Sequence, residues 1–187
     1  MSPNRKYDFT GKVALVTGSS SGIGAAIATQ LAQFGASVAI TGRNVDNLDT
    51  VARQIEQLGG VKPLQIIGDL TLDDSLPKRL INETVAKFGR LDILVNNAGG
   101  GTPNGTLAST NLLEEWDSVF RLNVRSVVEL TQLAVPHLEK TKGNVINISS
   151  VAGIKAVMCS MSKCTCISSN PIQLSLQESL FVYCCSK

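Results

Sequence analysis

Cysteine is absent until Cys159, and the five that follow, Cys159, Cys164, Cys166, Cys184 and Cys185, crowd the last part of the chain. Cys164-Thr165-Cys166 leaves one residue between its thiols, tighter than a zinc pair uses, and no histidine cluster accompanies it. No metal site is expected, and the cysteines read as free thiols. The single histidine, His137, follows Pro136 near the end of a helical pattern and reads as structural. Charge of one sign is also missing. Lys and Arg number 17 against 15 Asp and Glu, a net charge of +2, which gives no footing for nucleic acid or an acidic membrane surface. No apolar run approaches the ~18 residues of a membrane span, and the first eleven residues are too polar for a secretory leader. A cytoplasmic location is expected, with an organelle matrix as the other possibility. What is present, 43% apolar residues and a mean hydropathy of +0.15, suits a folded domain.

Short β-rich runs alternate with helical periodicity. Val13–Val16 leads into a glycine turn, and Ile23 to Phe34 then repeats apolar residues at helical spacing until Gly35. Strand signals follow at Ser37–Thr41, Leu64–Gly68, Leu91–Val95 and Gly143–Ile148. Helices are predicted over Asn44–Leu58, Asp73–Phe88 and Leu112–His137. This alternation predicts an α/β fold, a doubly wound parallel sheet with helices on both faces. The Ser- and Cys-rich stretch 156–187 has no clear period, so 1–155 is expected to form the domain and 156–187 a divergent tail.

Gly18, Gly22 and Gly24 lie between the first strand and the first helix, where small residues let backbone N–H groups and a helix N-terminus approach a pyrophosphate. The spacing Thr17-Gly18-Ser19-Ser20-Ser21-Gly22-Ile23-Gly24 resembles the cofactor loop of the short-chain dehydrogenase/reductases. Further motifs follow in the family's order. Asp69-Leu70 resembles its adenine-holding pair, and Asn96-Asn97-Ala98-Gly99 its sheet-bracing adenosine motif. Asn123 matches its helix asparagine, and Asn147-Ile148-Ser149-Ser150 the strand that delivers its catalytic serine, placed at Ser150. The resemblance covers residues 9 to 155 and implies a Rossmann-like fold lacking the family's C-terminal strands and helices. It implies cofactor contacts from Gly18, Ser20, Ser21, Gly22, Ile23, Gly24, Asp69, Leu70, Asn97, Ala98 and Gly99.

The cofactor form is read at the end of the second strand. An acid there would accept from ribose hydroxyls and repel a 2′-phosphate; Thr41-Gly42-Arg43-Asn44 has none. The planar guanidinium of Arg43 can instead pair with a 2′-phosphate, so NADP(H) is favoured over NAD(H), although Ser21 stands where many NADP-preferring relatives carry a basic residue.

The resemblance further implies hydride transfer to or from a carbonyl or secondary alcohol. A tyrosine exchanges the proton, a lysine four residues on lowers its pKa, and serine and asparagine assist. The family's tyrosine follows the serine by about a dozen residues, where this chain has no match. Cys159 with Met161-Ser162-Lys163 lies too near Ser150; Tyr183-Cys184-Cys185-Ser186-Lys187 has the full pattern but lies farther along. The candidate tetrad is therefore Ser150, Asn123, Tyr183 and Lys187. The alternative is a catalytically inactive, truncated relative that binds nucleotide or a full-length subunit. In relatives the long helix, here Leu112–His137, packs in a dimer interface, so a homo-oligomer through that helix is also expected.

Overall fold

The computed structural model describes residues 7–101 and 110–150. Five parallel strands, β1 (Val13–Val16), β2 (Ser37–Gly42), β3 (Leu64–Ile67), β4 (Ile93–Asn96) and β5 (Asn144–Asn147), form one sheet in the order β3-β2-β1-β4-β5. The register pairs Leu15 with Ala39 on one side and with Leu94 on the other. β1 and β4 are buried along their whole length. Such unbroken apolar runs belong to a parallel sheet covered on both faces.

One face packs against α1 (Gly22–Gln33) and α2 (Val45–Gln57), with Ala28, Ala32, Leu48 and Ile55 under the strands. The other packs against α3 (Leu76–Phe88) and α5 (Ser126–Thr141), with Leu80, Leu91, Leu130 and Leu138 in the core. The sheet is thus doubly wound, as its alternation of strand and helix implied. Asn44 opens α2 by accepting from the Asn47 N–H at 2.9 Å, satisfying one donor of the helix's first turn. Gly35, with φ of +101°, turns the chain from α1 into β2.

Two helices depart from their predicted bounds. α3 begins at Leu76, not at Asp73. Asp69 and Asp73 accept hydrogen bonds from Thr71 and Ser75 respectively, and these side-chain turns occupy the residues before the helix. Pro77 then sits in the first turn, where its missing N–H costs nothing. The helix read as Leu112–His137 runs on to Thr141 and is interrupted. α4 (Leu112–Phe120) passes into a π-helical turn at Arg121–Arg125 before α5 begins. In that turn the Ser126 N–H donates to the Arg121 carbonyl, five residues back. Pro136 is accommodated inside α5. Among the described residues, no helix is long and apolar enough to cross a membrane. The expected tail 156–187, its cysteines included, lies outside the described residues.

Candidate cofactor site

The strand order reverses direction between β1 and β4, and in open α/β sheets ligands bind beyond the carboxyl ends of the strands at such a point. Thr17 and Gly18 leave β1 there, and Asn97 to Gly99 leave β4. The two segments are stapled together. Thr17 Oγ1 accepts from the N–H groups of Asn97 and Ala98, each at 2.9 Å, while its own N–H donates to the Val95 carbonyl at 3.0 Å. The Asn97 amide donates back to the carbonyls of Thr17 and Gly18, at 2.9 and 3.1 Å.

This staple leaves no room for a side chain at Gly18 or Gly24. A Cβ on Gly18 would lie 2.8 Å from Ala98 Cα, and Gly18 has a φ of +61°. A Cβ on Gly24 would collide with the Asn97 amide and the Gly18 carbonyl. Gly22 meets nothing nearby; its φ of +55° explains the glycine. Ser19, wholly buried, fixes the turn from beneath: its hydroxyl donates to the Val16 carbonyl at 2.8 Å and accepts from the Thr41 N–H at 2.9 Å. Ser20 lies against Gly42, where a Cβ would come within 2.7 Å of its hydroxyl.

At the mouth of the turn, Ser21, Gly22 and Ile23 are exposed. Ser21 makes no side-chain cap on α1, and no acidic residue occupies the helix's first turn. The first N–H groups of α1 therefore remain for an anion, with no carboxylate in the helix's own first turn to repel it. The residues fit a pyrophosphate.

Beyond β2 and β3 the adenosine end is set by Arg43, Asp69 and Leu70. Arg43 Nη1 lies 3.5 Å from Asp69 Oδ2. Asp69 Oδ1 accepts from the Thr71 N–H at 2.8 Å and hydroxyl at 2.5 Å. Partial burial would raise the Asp69 carboxyl, but the Thr71 bonds and the Arg43 charge outweigh it and hold it below the ordinary value. Leu70 is buried in the core beneath.

At the catalytic end, Asn123 lies in the π turn. Its Oδ1 accepts from the Gly100 N–H at 2.9 Å, and its Nδ2 donates to the Gly100 carbonyl at 2.8 Å. The helix asparagine thus grips the segment that follows Asn97-Ala98-Gly99. Ser150 is exposed just beyond β5, at the same edge of the sheet. Tyr183 and Lys187 lie outside the described residues.

Besides Ser19, two residues that the motifs contain but that were not among the expected cofactor contacts hold this framework together. Asn96, buried, donates to Asn147 Oδ1 at 2.9 Å and to Thr131 Oγ1 at 3.2 Å, joining β4 to β5 and α5. The adjacent Asn97 carried the motif's cofactor role, and nothing local separated the two functions. Thr17 opens the quoted motif, but its contacts depend on β4, distant in sequence.

The short chain dehydrogenase profile matches residues 12–163. The chain belongs to this family. The family is one of oxidoreductases that bind NAD(P), and the Rossmann-like sheet is theirs. It is 38% identical over 145 residues to a 3-oxoacyl-(acyl-carrier-protein) reductase of Thermotoga maritima, covering 77% of this chain and 57% of the relative. A metagenomic short-chain oxidoreductase solved with NADP superposes with a TM-score of 0.75 at 37% identity, over 82% of this chain and 69% of that one. A 7α-hydroxysteroid dehydrogenase solved with NADH gives the same TM-score at 34% identity, over 83% and 59%. The chain spans about half the length of the curated relatives it matches.

Proposed function

We propose that this chain is an NADP(H)-dependent oxidoreductase that moves a hydride to or from a carbonyl or secondary alcohol. The observation that carries it is the staple of Thr17, Gly18, Gly24 and Asn97, which shapes a phosphate cradle at the switch point of the sheet. Gly18, Ser20, Ser21, Gly22, Ile23 and Gly24 would hold the pyrophosphate, and Asp69, Leu70, Asn97, Ala98 and Gly99 the adenosine side. Arg43, exposed after a strand that ends without an acid, favours the 2′-phosphate. When bound, the nicotinamide would donate the hydride to a carbonyl or accept it from an alcohol. Ser150 would hold the substrate oxygen, Tyr183 would exchange its proton, Lys187 would favour the tyrosinate, and Asn123 would support the proton path. Domain 1–155 carries the cofactor and the stretch 156–187 completes the catalytic set. Substrates are small molecules rather than nucleic acids or membranes, the location is cytoplasmic, and the helical segment 112–137 mediates self-association. Leu113, 76% exposed on α4, supports that last point.

The displaced spacing between Ser150 and Tyr183 favours a second role, nucleotide binding without turnover, alone or beside a full-length subunit. One assay separates them. NADPH oxidation over a panel of aldehydes and ketones, abolished by Tyr183→Phe, supports the enzyme. NADPH quenching of Trp116 fluorescence with no oxidation on any carbonyl supports the binder and overturns catalysis.

A further inference from the structure

Arg43 and Asp69 sit on neighbouring strand ends and touch each other before any ligand is considered. The two partners are unequally held. Asp69 is fixed by two bonds from Thr71 and its side chain is 21% exposed, whereas that of Arg43 is 77% exposed. The contact is a single one of 3.5 Å through Nη1, long and not bidentate. Arg43 is therefore the partner free to leave.

We propose that Asp69 is a specificity-determining residue: its carboxylate competes with a 2′-phosphate for the Arg43 guanidinium and so limits the preference for NADP(H) over NAD(H). This rests on the assignment of Arg43 to the 2′-phosphate. A ligand carrying that phosphate must draw the guanidinium from a carboxylate that already holds it, or share it beside a like charge. A ligand without the phosphate leaves the pair undisturbed. The missing acid at the end of β2 is thus partly replaced by one at the end of β3. Asp69 is ionised at neutral pH, since Thr71 and Arg43 outweigh the effect of its burial. Any contact of Asp69 with the adenine is common to both cofactor forms and cancels in their ratio.

The test uses the full chain and two probes that differ only in the phosphate, adenosine 2′,5′-bisphosphate and AMP. Dissociation constants are measured by titration calorimetry for wild type, Asp69→Asn, Arg43→Ala and the double variant. Asparagine keeps an acceptor for the Thr71 N–H, so the turn should persist. If Asp69→Asn does not fold, Asp69→Ser, with a hydroxyl acceptor, takes its place. The expected result is a bisphosphate-over-AMP preference raised about threefold by Asp69→Asn, the size of one exposed ion pair, with no further change when the substitution is made on Arg43→Ala. Equal shifts for both probes, a lowered preference, or an effect that persists without Arg43 overturns the proposal. If Arg43→Ala itself leaves the preference at the wild-type value, the assignment of Arg43 to the 2′-phosphate falls, a distinct failure.

Discussion

Gly22 and Gly24 share one turn but would answer the same added methyl group differently. At Gly24 the methyl would drive into the Asn97 amide and the Gly18 carbonyl, both part of the staple between β1 and β4. Gly24→Ala is expected to cost about 1–3 kcal/mol and to weaken nucleotide binding, because backbone must move to admit it. At Gly22 the methyl meets open space, and the cost is only the left-handed conformation, about 1 kcal/mol. Melting temperatures and NADPH dissociation constants of the two variants check this; equal losses would refute the distinction. The need for glycine at this turn was legible because the spacing of the three residues reports local backbone geometry. Ser19 was less legible. Its buried hydroxyl joins two strands, yet in sequence it is one serine among three.

At the scale of elements, the staple depends on a single hydroxyl reaching from β1 to the loop after β4. Thr17→Val keeps the shape and removes the acceptor for two N–H groups, those of Asn97 and Ala98, in a partly buried place. A loss of about 2 kcal/mol is expected, with nucleotide affinity falling in parallel, while Thr17→Ser should restore most of both. Urea denaturation with and without NADPH measures each. The elements themselves were mostly legible, since apolar periodicity survives in β1, α1, β2 and α2. The π turn at Arg121–Arg125 was not. One extra residue in a turn displaces the pattern by about 100°, roughly the width of an apolar stripe, so Leu112 to His137 reads as continuous. The start of α3 was misplaced for another reason: Asp73 has the chemistry of a cap, but it spends its oxygen on Ser75, and Pro77 sets the first turn.

In the whole molecule, the two ends of β4 do different work. Asn97 closes the cofactor edge. At the opposite edge, about 16 Å away along the strand, Asp92 is buried and accepts from Arg90 at 2.6 and 2.8 Å, from Lys12 at 3.2 Å and from the Val13 N–H at 3.0 Å. Burial would raise this carboxyl, but those donors more than compensate and hold it below the ordinary value. A group whose folded pKa is depressed contributes stability above its unfolded pKa, near 4, and loses that contribution as pH falls through the folded value. Asp92→Asn should therefore lower stability by roughly 2 kcal/mol at pH 7, and the gap to wild type should narrow below about pH 4. Nucleotide binding acts on the other edge. A ligand at a hundred times its dissociation constant adds about 2.7 kcal/mol, roughly 5–10 °C in melting temperature for a domain of this size. Among the described residues the two edges share no side-chain partner, so the effects should add. Asp92→Asn should melt lower yet gain the same NADPH increment as wild type, whereas Thr17→Val should lose most of that increment. Thermal melts of the three proteins, with and without NADPH, decide it. A smaller NADPH increment in Asp92→Asn would mean that the sheet couples its two edges, and that the cradle draws its rigidity from the acid at the far end of β4.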